Sequence, residues 1–241
     1  MTYQHKTVML IHDIWNIYRY GERFKIVYIK AGYRSDPGKK RLRTLDEDTE
    51  RFYQSIARAK ARVLELALCN EFTHFCTFTQ SDILRNDRFN LPDFRKDLAQ
   101  FVRNRNRSRT PERQLRYLLV PEQHKDGAWH MHGLLSGLDA LDLKPNEHGY
   151  LDWNAYRSRF GWFSVSDIKD PTGCAHYITK YISKSMAASD AMKKGQHLYF
   201  ASQCLKGRDV ICYEMKDPCP YDLDTFDFEN DYVKVKWVDK L

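Results

Sequence analysis

Two histidines one residue apart, His130 and His132, constrain the fold of this chain more than any other feature. Their side chains point the same way only on an extended strand, where successive residues alternate faces with period two. The surrounding stretch, VPEQHKDGAWHMHGLL from Val120 to Leu135, reads as a β-hairpin. Leu118 to Val120 run apolar into Pro121, Asp126-Gly127 marks a turn, and Ala128 to Leu135 runs apolar again. A three-residue loop of Lys125, Asp126 and Gly127, with Gly127 in the left-handed conformation, sets His124 opposite Ala128 and Glu122 opposite His130. Directly opposed residues share a face. Glu122, His130 and His132 are therefore expected on one side of the hairpin, with His124 or Gln123 the alternatives to Glu122 if the loop differs. One carboxylate and two imidazoles suit an octahedral divalent ion, Mn²⁺ or Mg²⁺, better than a closed structural zinc site. Taken alone, the histidine pair also suits an amphipathic strand with two partly buried rings.

A second motif lies downstream. Tyr177-Ile178-Thr179-Lys180-Tyr181-Ile182-Ser183-Lys184 holds two overlapping Tyr-x-x-Lys units, and on a helix Tyr177 and Tyr181, like Lys180 and Lys184, share a face one turn apart. A histidine-hydrophobic-histidine strand across a glycine turn from a glutamate, together with a tyrosine helix, resembles the HUH endonucleases: rolling-circle replication initiators, relaxases and related transposases. The strand Phe72 to Thr79 (FTHFCTFT) is similar to the first motif of that family, a central strand with threonine or apolar residues beside the metal hairpin. AWHMHGLL, then FGW, then YITKYISK look most like the replication-associated proteins of bacterial phages and mobile elements, and the tandem tyrosines are similar to those of initiators of small single-stranded DNA phages.

The resemblance covers roughly Phe72 to Lys184. It implies an RNA-recognition-like sheet and transesterification at single-stranded DNA. Tyr177 or Tyr181 would attack a phosphodiester, leaving a 5′-phosphotyrosine and a free 3′-hydroxyl. A metal on Glu122, His130 and His132 would polarise the phosphate, and Lys180 and Lys184 would favour the phenolate. The expected DNA is single-stranded, at an origin or hairpin. No phosphate-binding loop occurs in the sequence, so helicase and polymerase are expected from the host or the element. A transposase or relaxase would use the same site. A non-catalytic nucleic-acid-binding protein with a structural metal is the alternative from another class.

The rest of the sequence frames this site. At 241 residues, with 42% hydrophobic and 14% aromatic content, the chain buries a real core, which excludes disordered and collagen-like classes. A net charge of +7 favours an anionic partner. No segment approaches a transmembrane length and the first residues lack the plan of a signal peptide, so the expectation is the cytoplasm, with no membrane partner; the resemblance implies that of a bacterial host. The six cysteines form no CxxC pair and read as reduced thiols.

The expected fold is α+β, a central antiparallel sheet with flanking helices, in one compact domain overall. Residues 1–70 are expected to be an extension, 71–216 the endonuclease domain and 217–241 an acidic tail. In the extension, Phe24 to Ala31 is a candidate strand. A capping box at Thr44 to Glu47 opens a helix toward Asn70, with Arg51, Arg58, Lys60 and Arg62 on a solvated face or a DNA track. Pro92 opens a second helix that ends in a basic run. Arg103, Arg105, Arg107 and Arg109 of that run are candidates for a phosphate clamp beside the hairpin, the alternative being an ordinary solvated run. Leu138 to Tyr150 reads as loop, Trp153 to Phe160 as a short helix and Trp162 to Ile168 as a strand. Pro171-Thr172-Gly173 reads as a break before the tyrosine helix, and His74 as structural. In the tail, seven carboxylates stand against three lysines.

Overall fold

The computed structural model describes residues 8–10, 12–32, 34–35, 45–85, 87–187, 197–216, 219, 221 and 225–241. In chain order the elements are β1 (Val8–Met9), β2 (Ile14–Tyr20), β3 (Arg23–Ile29), β4 (Arg34–Ser35), α1 (Leu45–Leu68), β5 (His74–Thr79), α2 (Leu91–Asn106), β6 (Arg116–Gln123) and β7 (Trp129–Ser136). They continue as β8 (Leu143–Pro145), β9 (Leu151–Trp153), α3 (Asn154–Arg157), β10 (Phe163–Asp167), α4 (Pro171–Ala187), β11 (Phe200–Ala201), β12 (Asp209–Met215), β13 (Phe228–Glu229) and β14 (Val233–Val238). The fold is α+β, with antiparallel sheets and flanking helices.

Contacts gather the chain into two units, Met1–Arg51 with Gly207–Leu241, and Phe52–Lys206. This differs from one domain bracketed by an extension and a tail. The physical reason lies in the tail itself: VKVKWV alternates with the strand period, and β14 pairs along β3 from Val233↔Ile29 to Val238↔Phe24. A charge count hides that periodicity. The first unit is thus a five-stranded antiparallel sheet in the order β12-β2-β3-β14-β13, beside the small β1-β4 pair. Three of the tail's carboxylates are engaged: Asp239 accepts from Arg23 at 2.8 Å, Glu229 pairs with Lys234 at 2.5 Å, and Asp227 accepts the Trp237 N–H at 2.6 Å. Buried Asn16 accepts the Glu214 N–H where β12 slips register against β2.

The second unit is a layered α+β structure on the sheet β10-β5-β7-β6-β11, every neighbouring pair antiparallel. Alternation assigns its two faces. Cys76, Phe78, Leu119, Trp129 and Met131 face one way and join a core with Phe94, Leu98, Phe101 and Val102 of α2 and with Tyr156 and Phe160. Leu118, Val120 and Leu134 face the other way, against Ile56, Ala59, Val63 and Leu66 of α1 and Ala175, Ile178 and Ile182 of α4. α2 starts where Pro92 predicts, with Asn90 as its cap accepting the Asp93 N–H at 3.2 Å. Thr44, the predicted cap of α1, lies outside the described residues.

Two local readings change. The expected loop from Leu138 to Tyr150 contains β8, which pairs with β9 through Leu143↔Trp153 and Pro145↔Leu151. Pro171 opens α4 instead of breaking the chain before it, because the first helical turn has no use for the missing N–H. The six cysteines are free thiols, and among the described residues no helix is long and apolar enough to cross a membrane.

Candidate active site

The hairpin has the geometry its sequence dictates. Gly127 has φ +87°, its N–H donates to the His124 carbonyl at 2.9 Å, and the His124 N–H donates to the Ala128 carbonyl at 2.8 Å. An L side chain is strained at that φ, so glycine fixes the loop length and with it the register. Glu122 falls opposite His130 and Gln123 opposite Trp129. Glu122, His130 and His132 therefore share a face, on the side of the sheet that α4 covers.

β5 lies on the other side of β7 and extends these rows. Thr79 pairs with His130, and Thr77 with His132. The Thr79 hydroxyl is 3.2 Å from His130 Nδ1 and the Thr77 hydroxyl 3.1 Å from His132 Nδ1. Each ring is thereby held through Nδ1 with Nε2 directed away, the arrangement in which outer partners orient imidazole ligands. Glu122 Oε2 lies 2.6 Å from His132 Nε2. His124 stacks on His130 with centroids 5.1 Å apart, its own Nδ1 3.4 Å from Asp126. Burial above all, then the neighbouring His124, lowers the pKa of His130, which favours the neutral ring that a metal requires.

α4 brings both tyrosines to this face. The Tyr181 ring stacks on His132 at 4.2 Å and 17°, the two phenol oxygens are 2.9 Å apart, and both rings pack on Phe75. The two differ in environment: Tyr177 is 46% exposed and Tyr181 8%. Burial first, then the hydrogen bond from Tyr177 and the charges of Tyr177 and Glu122, raises the Tyr181 phenol far above its ordinary range. Lys180 holds its ammonium 5.9 Å from the Tyr177 ring centroid. Lys184 lies on α4, and its side chain is outside the described residues.

The donor set fits a hard divalent ion in type, one carboxylate and two imidazoles fixed by threonines. Among the described residues, no three such side chains are gathered into a metal-holding arrangement, and Glu122 contacts His132 directly.

The arginine run is not brought to this site. α2 packs on the opposite face of the sheet, and Asn106 at its end bonds both N–H and carbonyl of Leu115, at the start of β6. Glu122 is seven residues further along, roughly 23 Å at strand rise. Arg109 is internal: it binds Asp142 and the carbonyls of Gly137 and Arg113, with side chains only 9% and 11% exposed in the ion pair. Arg103 donates to Gln100, and Arg105 lies over the Phe101 ring. His74 is structural, 2.7 Å from the Thr73 hydroxyl and 3.4 Å from Asp167.

Fold and face together define an α+β protein in which a hairpin of acid and histidines meets a tyrosine helix. Residues 73–186 match the family described as Replication-associated protein ORF2. That segment, most of the second unit and just under half of the chain, is similar to this family of replication-associated proteins. No curated protein and no solved structure matches the chain.

Proposed function

We propose that the protein is a rolling-circle replication initiator that nicks and rejoins single-stranded DNA, at a specific sequence or structure, through a 5′-phosphotyrosine. The observation that carries this reading is the convergence on one sheet face of Glu122, His130, His132 and the two α4 tyrosines, with Tyr181 stacked 4.2 Å from His132. No purely structural role calls for two threonines to hold two imidazoles beside a carboxylate and an exposed phenol.

Glu122, His130 and His132 are the residues that would hold Mn²⁺ or Mg²⁺, which when bound supplies Lewis-acid polarisation of the scissile phosphate. Thr77 and Thr79 keep the imidazoles oriented. Tyr177 is the accessible nucleophile. Its oxygen bonds to phosphorus, the bond from phosphorus to the 3′ oxygen breaks, and the proton lost by the phenol is balanced by the one gained at the 3′-hydroxyl. One phosphodiester is exchanged for another, so the bond energy is retained for rejoining. Tyr181, protonated and hydrogen-bonded to Tyr177, positions that oxygen in the first round and holds a second nucleophile in reserve. Lys180, its ammonium 5.9 Å from the Tyr177 ring centroid, places a cation beside the charge that develops during the transfer. Unwinding and synthesis fall to a helicase and polymerase of the host or element, in the bacterial cytoplasm.

The test is incubation with a pool of single-stranded oligonucleotides and Mn²⁺, followed by a denaturing gel. The wild type is expected to give a denaturant-resistant adduct. His130→Ala and His132→Ala, each still folded, are expected to lose it, as is wild type in excess chelator. Full adduct formation by either variant in chelator rejects the metal role. A wild type that binds DNA yet never forms an adduct turns the reading to the non-catalytic class.

A further inference from the structure

The row carrying His130 continues past β5. The Thr79 N–H donates to the Trp162 carbonyl at 2.9 Å, one step beyond the Phe163↔Phe78 pair, so Trp162 stands opposite Thr79 at the sheet edge. Across the sheet the row reads Trp162, Thr79, His130, Glu122. At about 4.8 Å per strand, Trp162 is about 10 Å from His130. It is 58% exposed, an unusual place for an indole. Gly161 makes the approach possible, because a Cβ there would lie 2.4 Å from the Ser81 nitrogen and 3.0 Å from the Thr79 carbonyl oxygen.

The indole is not simply left in solvent. The Arg157 guanidinium sits over its ring, 4.4 Å from the centroid. Arg157 is fixed in turn by Asp152, Nη1 to Oδ2 at 2.6 Å, and that carboxylate is 2% exposed with an Oδ1 that meets no hydrogen-bond donor among the described residues. Burying a carboxylate with one oxygen unsatisfied is costly. What this one secures is a guanidinium held against an exposed tryptophan. Clamped cation, open aromatic face and proximity to the site together are what an unpaired base requires: every base offers a π-face, and its phosphate is drawn to the arginine.

We infer that Trp162, backed by Arg157, is a stacking platform for a base of the single-stranded DNA next to the scissile phosphate. The inference rests on the nicking reading and adds to it how the strand is held. Stacking is indifferent to base identity, so this contact fixes the strand's path and leaves sequence choice to other residues.

The experiment uses the full chain carrying Tyr177→Phe and Tyr181→Phe, so that binding is measured without covalent turnover. Fluorescence anisotropy compares a labelled single-stranded oligonucleotide with the same backbone made abasic, both with Mn²⁺. Trp162→Ala in this background is expected to weaken the base-bearing strand by about 5- to 150-fold and the abasic strand hardly at all. Trp162→Phe, which keeps an aromatic face, is expected to recover most of the loss, and Arg157→Gln to weaken both strands. Unchanged binding of the base-bearing strand by Trp162→Ala, or an equal loss on both strands, overturns the stacking role. In either of those cases the nicking reading survives if the wild type still forms its adduct. If the adduct fails as well, both readings fall.

Discussion

One turn of α4 separates Tyr177, 46% exposed, from Tyr181, 8% exposed and stacked on His132. Phenylalanine at either position keeps the ring and removes only the oxygen. Tyr177→Phe is predicted to reduce first-round adduct formation by about 100-fold or more, since a nucleophile has no substitute in its own step. Tyr181→Phe is predicted to keep a slower first round, with a loss of about tenfold, and to fail when a second cut is required. The measurement is adduct yield on one-site and two-site single-stranded substrates. Equal first-round losses for the two variants contradict the assignment. Thr77→Val and Thr79→Val are predicted to weaken Mn²⁺ binding by about 10- to 100-fold with the fold retained, read by calorimetry on the full chain. At this scale the sequence was legible where parity decides. His130, His132 and Glu122 follow from strand alternation and one glycine, whereas Thr77, Thr79 and Trp162 carry no signal until β5 is set beside β7 and β10. The partners of Arg109 are equally invisible, because Asp142 and Gly137 come near it only through tertiary packing.

Elements decide whether those side chains meet. α4 is held to the sheet by Ala175, Ile178 and Ile182 against Leu118, Val120 and Leu134. Ile178→Ala is predicted to cost about 2–5 kcal/mol of stability, as deletion of a fully buried branched side chain does. It should also lower adduct yield by loosening both tyrosines, and a change below about 0.5 kcal/mol in denaturant unfolding would show that α4 is docked elsewhere. The α2 arginines make the opposite case. Replacing Arg103, Arg105 and Arg107 with glutamine is predicted to leave adduct yield on a short strand within about twofold, because α2 lies on the far face. Replacing Arg109 is predicted to lower stability instead, by stranding a buried Asp142 carboxylate. Burial lowers the His74 pKa below its ordinary 6.5, against the opposing charge of Asp167. The fold therefore prefers the neutral ring, and this stability is present above pH 6.5 and lost as the pH falls through it toward the folded value. His74→Gln should flatten that acid slope, and an unaltered slope would remove His74 from the account. The long helices were legible because caps, prolines and a 3.6-residue period agree. The three-residue strands β8 and β9 were not, being too short to show a period.

Over the whole molecule, the two units divide the labour of the sequence unevenly. The match to replication-associated proteins runs through residues 73–186 of the second unit, which carries every residue of the candidate site. The first unit is assembled from the two ends of the chain, β2 and β3 pairing with β12 and β14 across more than 170 residues. A reading that proceeds along the chain meets one half as an extension and the other as an acidic tail. Only the pairing shows them as one sheet, so that part of the architecture was the least legible. Whether a tyrosine of α4 becomes joined to DNA is read by digesting the denaturant-resistant adduct and locating the modified peptide by mass spectrometry. A 5′-phosphate ester on Tyr177 is expected, with Tyr181 modified only when two cuts are made. An adduct on any residue outside α4, or wild-type adduct yield in the Tyr177→Phe, Tyr181→Phe double variant, would contradict it.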